Sequence, residues 1–233
     1  MSAAQGFVLA VSGLAREASI AAGPGVRTAA GGGAGLLHRI EAAIAQGADA
    51  VLSFGIAGGL DPRLGPGAAI LARSVRAGSE RWAADEAWRA RLADRLPAAL
   101  VADLAGVEAP VLTPRDKEAL HAATGALAVD MESHVAARLA AAHGLPFAAL
   151  RVVCDPAARA VPPAAAAGLR EDGGTDAGAV LRALLRSPGQ LPGLLRLALD
   201  ARTAFAALGR SRAAAGPGFA FPAARGDDTD VRP

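Results

Sequence analysis

Glu17, Glu132 and Asp155 each stand just beyond a short apolar run, and another such run ends in Gly55-Ile56-Ala57-Gly58-Gly59. A carboxylate can accept two hydroxyl hydrogen bonds at once, stabilise a positive charge that develops beside it, and give or take a proton. Glycines let another molecule come close to the backbone, which makes Ala57 and Gly58 candidate floor residues of a ligand site. Each acid also has a purely structural explanation. Glu132 would suit the first turn of a helix, and Asp155, followed by Pro156, an Asp-Pro turn. Cys154 has no base motif beside it, which fits a small buried apolar residue rather than a nucleophile. His38, His121, His134 and His143 lack ligand spacing, so no metal site is expected.

These residues depend on the elements that carry them. Residues 7–11 read as a buried strand ending at Ser12-Gly13, with a helix begun near Arg16. From Gly35 through Leu36, Leu37, Ile40 and Ile44 the apolar spacing is helical, closed by Gly47. Residues 50–54 predict a second strand that runs into the glycine loop, 67–75 a third, and 85–96 a charged surface helix before Pro97. Another strand is expected over 126–129, a helix over 132–143 closed by Gly144, and a last clear strand over 147–153, stopped by Asp155-Pro156.

Strands alternating with helices predict an α/β fold: a single three-layer domain whose central sheet is mixed, mainly parallel and twisted, flanked by helices. In such a sheet the ligand crevice lies beyond the C-terminal strand ends, where Glu17, the glycine loop, Glu132 and Asp155 would converge. Beyond Asp155, residues 157–174 are Pro/Ala-rich and read as irregular. Residues 180–208 hold two basic, Leu-rich helical stretches split by Ser187-Pro188-Gly189. The expected organisation is one domain over 1–210, its Leu-rich helices occupying about 178–210, and a disordered tail over 211–233.

Three segments taken together resemble the purine nucleoside phosphorylase and methylthioadenosine/adenosylhomocysteine nucleosidase superfamily. They are Val11-Ser12-Gly13-Leu14-Ala15-Arg16-Glu17, Ser53-Phe54-Gly55-Ile56-Ala57-Gly58-Gly59-Leu60, and Val129-Asp130-Met131-Glu132 with Arg151-Val152-Val153-Cys154-Asp155. The resemblance implies a nucleoside phosphorylase-like fold and cleavage of an N-glycosidic bond. It makes Glu132 the ligand of the ribose hydroxyls, with Met131 packing against the sugar and Asp130 in the same substrate-binding motif. It makes Asp155 the acid that protonates the purine N7, and an aspartate there suits a 6-aminopurine. At the first strand end it implies one of two roles: Glu17 activating water, as in the nucleosidases, or Arg16 binding phosphate, as in bacterial phosphorylases. The glycine loop has Ser53 and Ile56 where phosphorylases carry phosphate ligands, so hydrolysis is favoured. Arg16 and Arg27 leave phosphate as the alternative co-substrate, unless both are solvated surface residues. No other cofactor is expected. Cys154 replaces a serine of the family pattern, so the orientation of Asp155 has to rely on another group.

The segment after Asp155, through Val161-Pro162-Pro163, Gly168-Leu169-Arg170, Gly174-Thr175-Asp176 and Arg186-Ser187-Pro188-Gly189-Gln190-Leu191-Pro192, resembles the hopanoid-associated phosphorylases. This implies removal of adenine from adenosylhopane. Leu181, Leu184, Leu185, Leu191, Leu194, Leu195 and Leu197, with Arg182, Arg186, Arg196 and Arg202, would form apolar faces edged by cations, suited either to an anionic lipid surface or to closing the core or a subunit interface. The alternatives are a methylthioadenosine/adenosylhomocysteine nucleosidase, a purine nucleoside phosphorylase, or a non-catalytic nucleoside-binding protein at the membrane. The resemblance also implies a homo-oligomer.

The whole chain sets bounds on these readings. Its 233 residues carry 24 basic against 22 acidic side chains, a net charge of +2, which does not indicate a nucleic-acid partner. One cysteine excludes an internal disulfide and fits a reducing compartment. Residues 1–6 lack the features of a signal peptide, and no stretch reaches the roughly 20 apolar residues that span a bilayer. A cytoplasmic protein, peripheral to the inner membrane if its substrate is a lipid, is the expectation.

Overall fold

The computed structural model describes residues 6–168, 170 and 172–222. Its strands are β1 (Phe7–Ser12), β2 (Val26–Ala30), β3 (Ala48–Gly59), β4 (Ala69–Ala77), β5 (Glu80–Ala83), β6 (Leu100–Gly106), β7 (Ala128–Asp130) and β8 (Phe147–Asp155). Between and after them come α1 (Ala15–Ala21), α2 (Gly33–Ala45), α3 (Glu86–Arg95), α4 (Pro114–Thr124), α5 (Ser133–Ala142), α6 (Pro163–Ala166), α7 (Ala177–Arg186) and α8 (Leu191–Ala215).

One eight-stranded sheet runs β2-β1-β3-β7-β6-β4-β5, and β8 pairs with both β3 and β4. The pairings β3–β8, β8–β4, β4–β6, β6–β7 and β7–β3 therefore close a five-strand circuit, from which β1, β2 and β5 extend. The sheet is mixed but mainly parallel, as the alternating elements predict; only β3–β7, β4–β5 and β4–β8 are antiparallel.

Strand alternation sorts the core into two faces. Leu9, Val11, Val51, Ala149 and Val153 point to one side, where Leu36 and Ile40 of α2 and Ala136, Ala137 and Ala140 of α5 cover them. Val8, Ala10, Leu52, Phe54, Leu150 and Val152 point to the other, under Trp88 and Leu92 of α3 and Ala204, Phe205 and Leu208 of α8. Helix, sheet, helix gives three layers.

Several expectations are corrected. The glycine run 55–59 is not a loop: it continues β3, with Gly55 opposite Arg151 and Gly58 opposite Asp155 of β8. Strand β8 pairs with it on one side, while on the other β7 pairs at Gly58 and Gly59 and the side chains of Glu17 and Arg151 take the Ile56 N–H and carbonyl, so the glycines weaken the strand without ending it. The disordered tail expected from Ser211 is not found over residues 211–222. Helix α8 continues to Ala215, Phe219 is fully buried, and its carbonyl accepts the Trp88 indole N–H at 2.7 Å. Burial of these side chains outweighs the local Gly and Pro content. Residues 223–233 of that expected tail, residues 1–5 of the N-terminal segment, and Leu169 lie outside the described residues. Among the described residues no helix is long and apolar enough to cross a membrane.

Candidate active site

Two groups of side chains lie at the C-terminal ends of β1, β3, β7 and β8. The first is built around Arg151, fully buried on β8. Its guanidinium donates to Ser53 Oγ at 2.6 Å, Ser133 Oγ at 3.2 Å and the Ile56 carbonyl at 3.3 Å. Nη2 lies 3.2 Å from Asp130 Oδ1 and 3.3 Å from Glu132 Oε2. Glu17, 1% exposed, comes from the first turn of α1, where Oε2 accepts the Leu14 N–H at 2.8 Å and Oε1 the Ile56 N–H at 2.7 Å.

The glycines serve the protein's own carboxylates. A Cβ at Gly13 would stand 2.5 Å from Glu132 Oε1, and one at Gly55 2.5 Å from Glu17 Oε1 and 2.7 Å from Arg151 Nη1. A side chain at either place would displace the cluster. Burial pushes the Glu17 carboxyl above its ordinary range, opposed by Arg151 and by backbone N–H groups. Burial also raises Glu132, opposed by Arg151 and reinforced by Asp130 and Glu17. Burial alone would lower the Arg151 guanidinium, but the three carboxylates outweigh it and hold it above its usual value.

The second group is a pair. Lys117 of α4 is fully buried, and its Nζ lies 2.5 Å from Asp155 Oδ2. The same ammonium donates to the carbonyls of Pro156 at 3.0 Å and Arg159 at 3.1 Å. Burial raises the Asp155 carboxyl and Lys117 pulls it back. A register shift between Ala57 and Gly58 sets Asp155 opposite Gly58, the kind of local irregularity that re-aims a strand-end side chain. Asp155 lines a cavity of about 170 Å³ with Arg159, Ala160, Gly193, Arg196, Leu197 and Asp200. An ion pair between Arg159 and Asp200 joins the loop after β8 to α8 across this cavity.

The sequence-predicted residues are distributed as follows. Glu17 and Glu132 are brought together, and Asp155 sits further along β8 at the cavity. Asp130 belongs to the cluster, but its carboxylate accepts the Glu132 N–H (2.9 Å), the Ser133 N–H (2.6 Å) and the Ser133 hydroxyl (2.6 Å). It caps the start of α5 and anchors Arg151, rather than standing free for substrate. Met131 is half-buried in the turn before α5. Ala57 and Gly58 are strand residues, Ala57 opposite Val153. Arg16 is not brought in: its guanidinium lies 4.1 Å above the Phe205 ring of α8. Arg27 stacks over Phe7 and bonds Gln46, at the other end of β1. Burial pushes the Cys154 thiol up to about 12, which suits a packed apolar residue.

Sequence reasoning missed two residues. Arg151 was visible as a charged residue inside an otherwise apolar strand, a placement that demands buried partners. Lys117 is the only lysine among 24 basic residues. It follows Thr113, whose side chain accepts the Asp116 N–H, and Pro114, a helix-start signal ending at left-handed Gly125.

Three carboxyls around a caged arginine, with Asp155 further along β8 at a cavity, stand where ligands meet strand C-termini in sheets of this kind. The chain belongs to the phosphorylase superfamily, whose family model matches residues 26–186. Solved structures share the fold. A Helicobacter pylori 5'-methylthioadenosine/S-adenosylhomocysteine nucleosidase with butyl-thio-DADMe-Immucillin-A is 16% identical, with a TM-score of 0.62 over 89% of this chain and 97% of that one. A Streptococcus pyogenes S-adenosylhomocysteine nucleosidase with 5-methylthiotubericidin is 14% identical, with a TM-score of 0.61 over 86% and 98%. The futalosine hydrolase of Helicobacter pylori is 18% identical, with a TM-score of 0.60 over 78% and 97%. A search of curated proteins finds no match.

Proposed function

We propose that this protein hydrolyses the N-glycosidic bond of an adenine nucleoside, and that its substrate is adenosylhopane. The observation that carries the chemistry is the Arg151 cluster: one guanidinium faces Glu17, Asp130 and Glu132, so carboxyl groups outnumber cations at the strand ends, and the negative charge in excess grows as the raised Glu17 and Glu132 ionise. That excess favours the oxocarbenium-like sugar of glycosidic cleavage and opposes a phosphate dianion. Arg151 already directs Nε, Nη1 and Nη2 at Ser133, the Ile56 carbonyl and Ser53, and Arg16 and Arg27 are engaged with aromatic rings elsewhere. Water is therefore the nucleophile this geometry suits.

In this reading Glu132 Oε1 takes the ribose hydroxyls while Oε2 stays on Arg151. The bond from C1' to N9 breaks as Asp155 gives its proton to N7, so the base leaves neutral. Water adds to C1' and passes a proton to Glu17, whose oxygens each keep a lone pair beyond the one held by a backbone N–H. The products are adenine and the free ribosyl aglycone.

The lipid aglycone rests on the segment after Asp155. Gly173 reaches back over the site, its carbonyl accepting the Ala15 N–H at 2.8 Å. No residue of α7 is buried, and Leu181, Leu185, Leu191, Leu195 and Leu199 are exposed along α7 and the first half of α8. Arg182, Arg186 and Arg196 punctuate these leucines, and Asp200 is the first acid after α7 begins. Cations flanking an apolar stripe complement an anionic bilayer, which would bring the enzyme to its substrate.

The test is adenine release from adenosylhopane in detergent, with and without phosphate, beside methylthioadenosine and adenosine. Phosphate-independent release from the lipid is the expected result. Strict phosphate dependence would overturn hydrolysis, and turnover of the small nucleosides alone would overturn the lipid assignment.

A further inference from the structure

The Cys154 thiol beside Asp155 is a poor hydrogen-bond partner, and the structure places a buried ammonium against the Asp155 carboxyl instead. Lys117 is fully buried, and its three N–H bonds can all be spent: Asp155 Oδ2 at 2.5 Å, Pro156 O at 3.0 Å and Arg159 O at 3.1 Å. The ammonium thus ties one carboxyl oxygen to the loop that leaves β8. Among the described residues no side chain bonds Oδ1. A chain that otherwise uses arginine throughout has a lysine here, where a compact point charge fits and a planar fork would need more room.

We propose that Lys117 is the positioning residue of the general acid, holding Asp155 Oδ2 so that the transferable proton sits on Oδ1 and faces the base. An oxygen that already accepts an ammonium N–H is the less basic of the two, so the proton resides by preference on Oδ1, the oxygen left to face N7. As N7 takes that proton, Asp155 becomes a carboxylate beside a fixed cation. The Lys117 interaction is therefore stronger after transfer than before it, and such a difference accelerates the step. Other charges act on the same carboxyl. Asp200 of α8 opposes its ionisation, while Arg159 and Arg196 line the cavity and Cys154 precedes it on β8.

This inference rests on the reading of Asp155 as the acid, and two measurements separate its failure from the failure of that reading. In Lys117→Met and Lys117→Gln, kcat for adenine release should fall by about 10²-fold with KM changed little, the loss of one oriented donor. The alkaline limb of the kcat profile should move up by about 1–3 pH units, because a carboxyl without its cation holds its proton more tightly. A brace that only supports the loop would lower activity or stability without moving that limb, and this result would overturn the proposal.

The second measurement needs neither activity nor a variant of Lys117. Because the chain has one lysine, lysine-selective 15N labelling gives a single Nζ resonance in the intact protein. That resonance should shift as Asp155 titrates, and the shift should vanish in Asp155→Asn. An Nζ signal indifferent to Asp155→Asn would overturn the pairing whatever the enzyme's substrate proves to be. If the pairing stands and wild-type protein releases no base from any nucleoside, only the functional reading falls.

Discussion

The two ends of the site treat negative charge differently. Around Arg151 three carboxylates share one guanidinium, whereas Asp155 has the Lys117 ammonium to itself. The first arrangement has more carboxyls than cations, turns negative as the raised Glu17 and Glu132 ionise, and suits a sugar that becomes cationic. The second is balanced and suits a group that must change its charge once per turnover. Both use a buried basic residue, but one anchors a field and the other a proton. The largest expected effect therefore comes from removing the proton. Asp155→Asn should lower kcat by about 10²–10⁴-fold, the range of general acid catalysis, and should also lower stability, because it leaves the fully buried Lys117 ammonium without its carboxylate; steady-state kinetics and urea melts would read the two effects separately. Full activity in that variant would abolish the distinction between the two ends.

Arg151→Met tests the other end through folding. Removing the cation leaves Glu17, Asp130 and Glu132 buried together, which should cost about 3–5 kcal/mol of stability near pH 8. The sign of its pH dependence follows from linkage. Glu17 and Glu132 already have raised values in the folded protein, and loss of Arg151 raises them further, so the variant binds protons more readily folded than unfolded. The penalty should shrink as the pH falls towards the ordinary carboxylate range and grow as it rises through the raised values. Urea melts at pH 5 and pH 8 would show it; an equal loss at both would mean that the cluster is not held by charge.

Glu17→Gln sharpens the role of the carboxylate excess. An amide can still accept one of the two backbone N–H groups, from Leu14 or Ile56, but cannot take a proton from water. Hydrolysis should fall by about 10²-fold, and added phosphate should not restore it. Restoration by phosphate would instead show that the excess charge does not exclude an anion.

The sheet was legible because its main strands are apolar runs bounded by Gly, Pro or Asp, and because α2 and α5 have apolar faces of helical period. Glu17, Glu132 and Asp155 were legible as strand-end acids. What escaped has physical causes. β2 carries Arg27 and Thr28 on an exposed edge, so no apolar run marks it. β6 is interrupted by Asp103, which Arg73, Arg76 and Arg81 neutralise from β4 and β5, partners that only the fold brings near. The glycine run passed for a loop because its backbone partners on β8 lie nearly a hundred residues away. Lys117 could not be assigned for the same reason: its charge is meaningful only against Asp155, on the far side of β7 and α5.

The smallest expected effect concerns the part of α8 that the core does not use. Its second half buries Ala204, Phe205, Ala207 and Leu208, whereas Leu195 and Leu199 in its first half are 60% and 65% exposed, and Leu185 of α7 is 74% exposed. Side chains that are already in water add little to folding, so Leu185→Ser with Leu195→Ser should alter stability by no more than about 0.5 kcal/mol. On vesicles the same pair should matter. Sedimentation with phosphatidylglycerol vesicles should fall in the double variant and in high salt, while phosphatidylcholine vesicles should retain little of either protein, because both apolar burial and the arginines contribute. A large loss of stability would place these leucines in the core. Unchanged sedimentation with a shift from dimer to monomer in ultracentrifugation would assign the stripe to a second copy of the chain, and leave the lipid substrate to be explained without a membrane-facing helix.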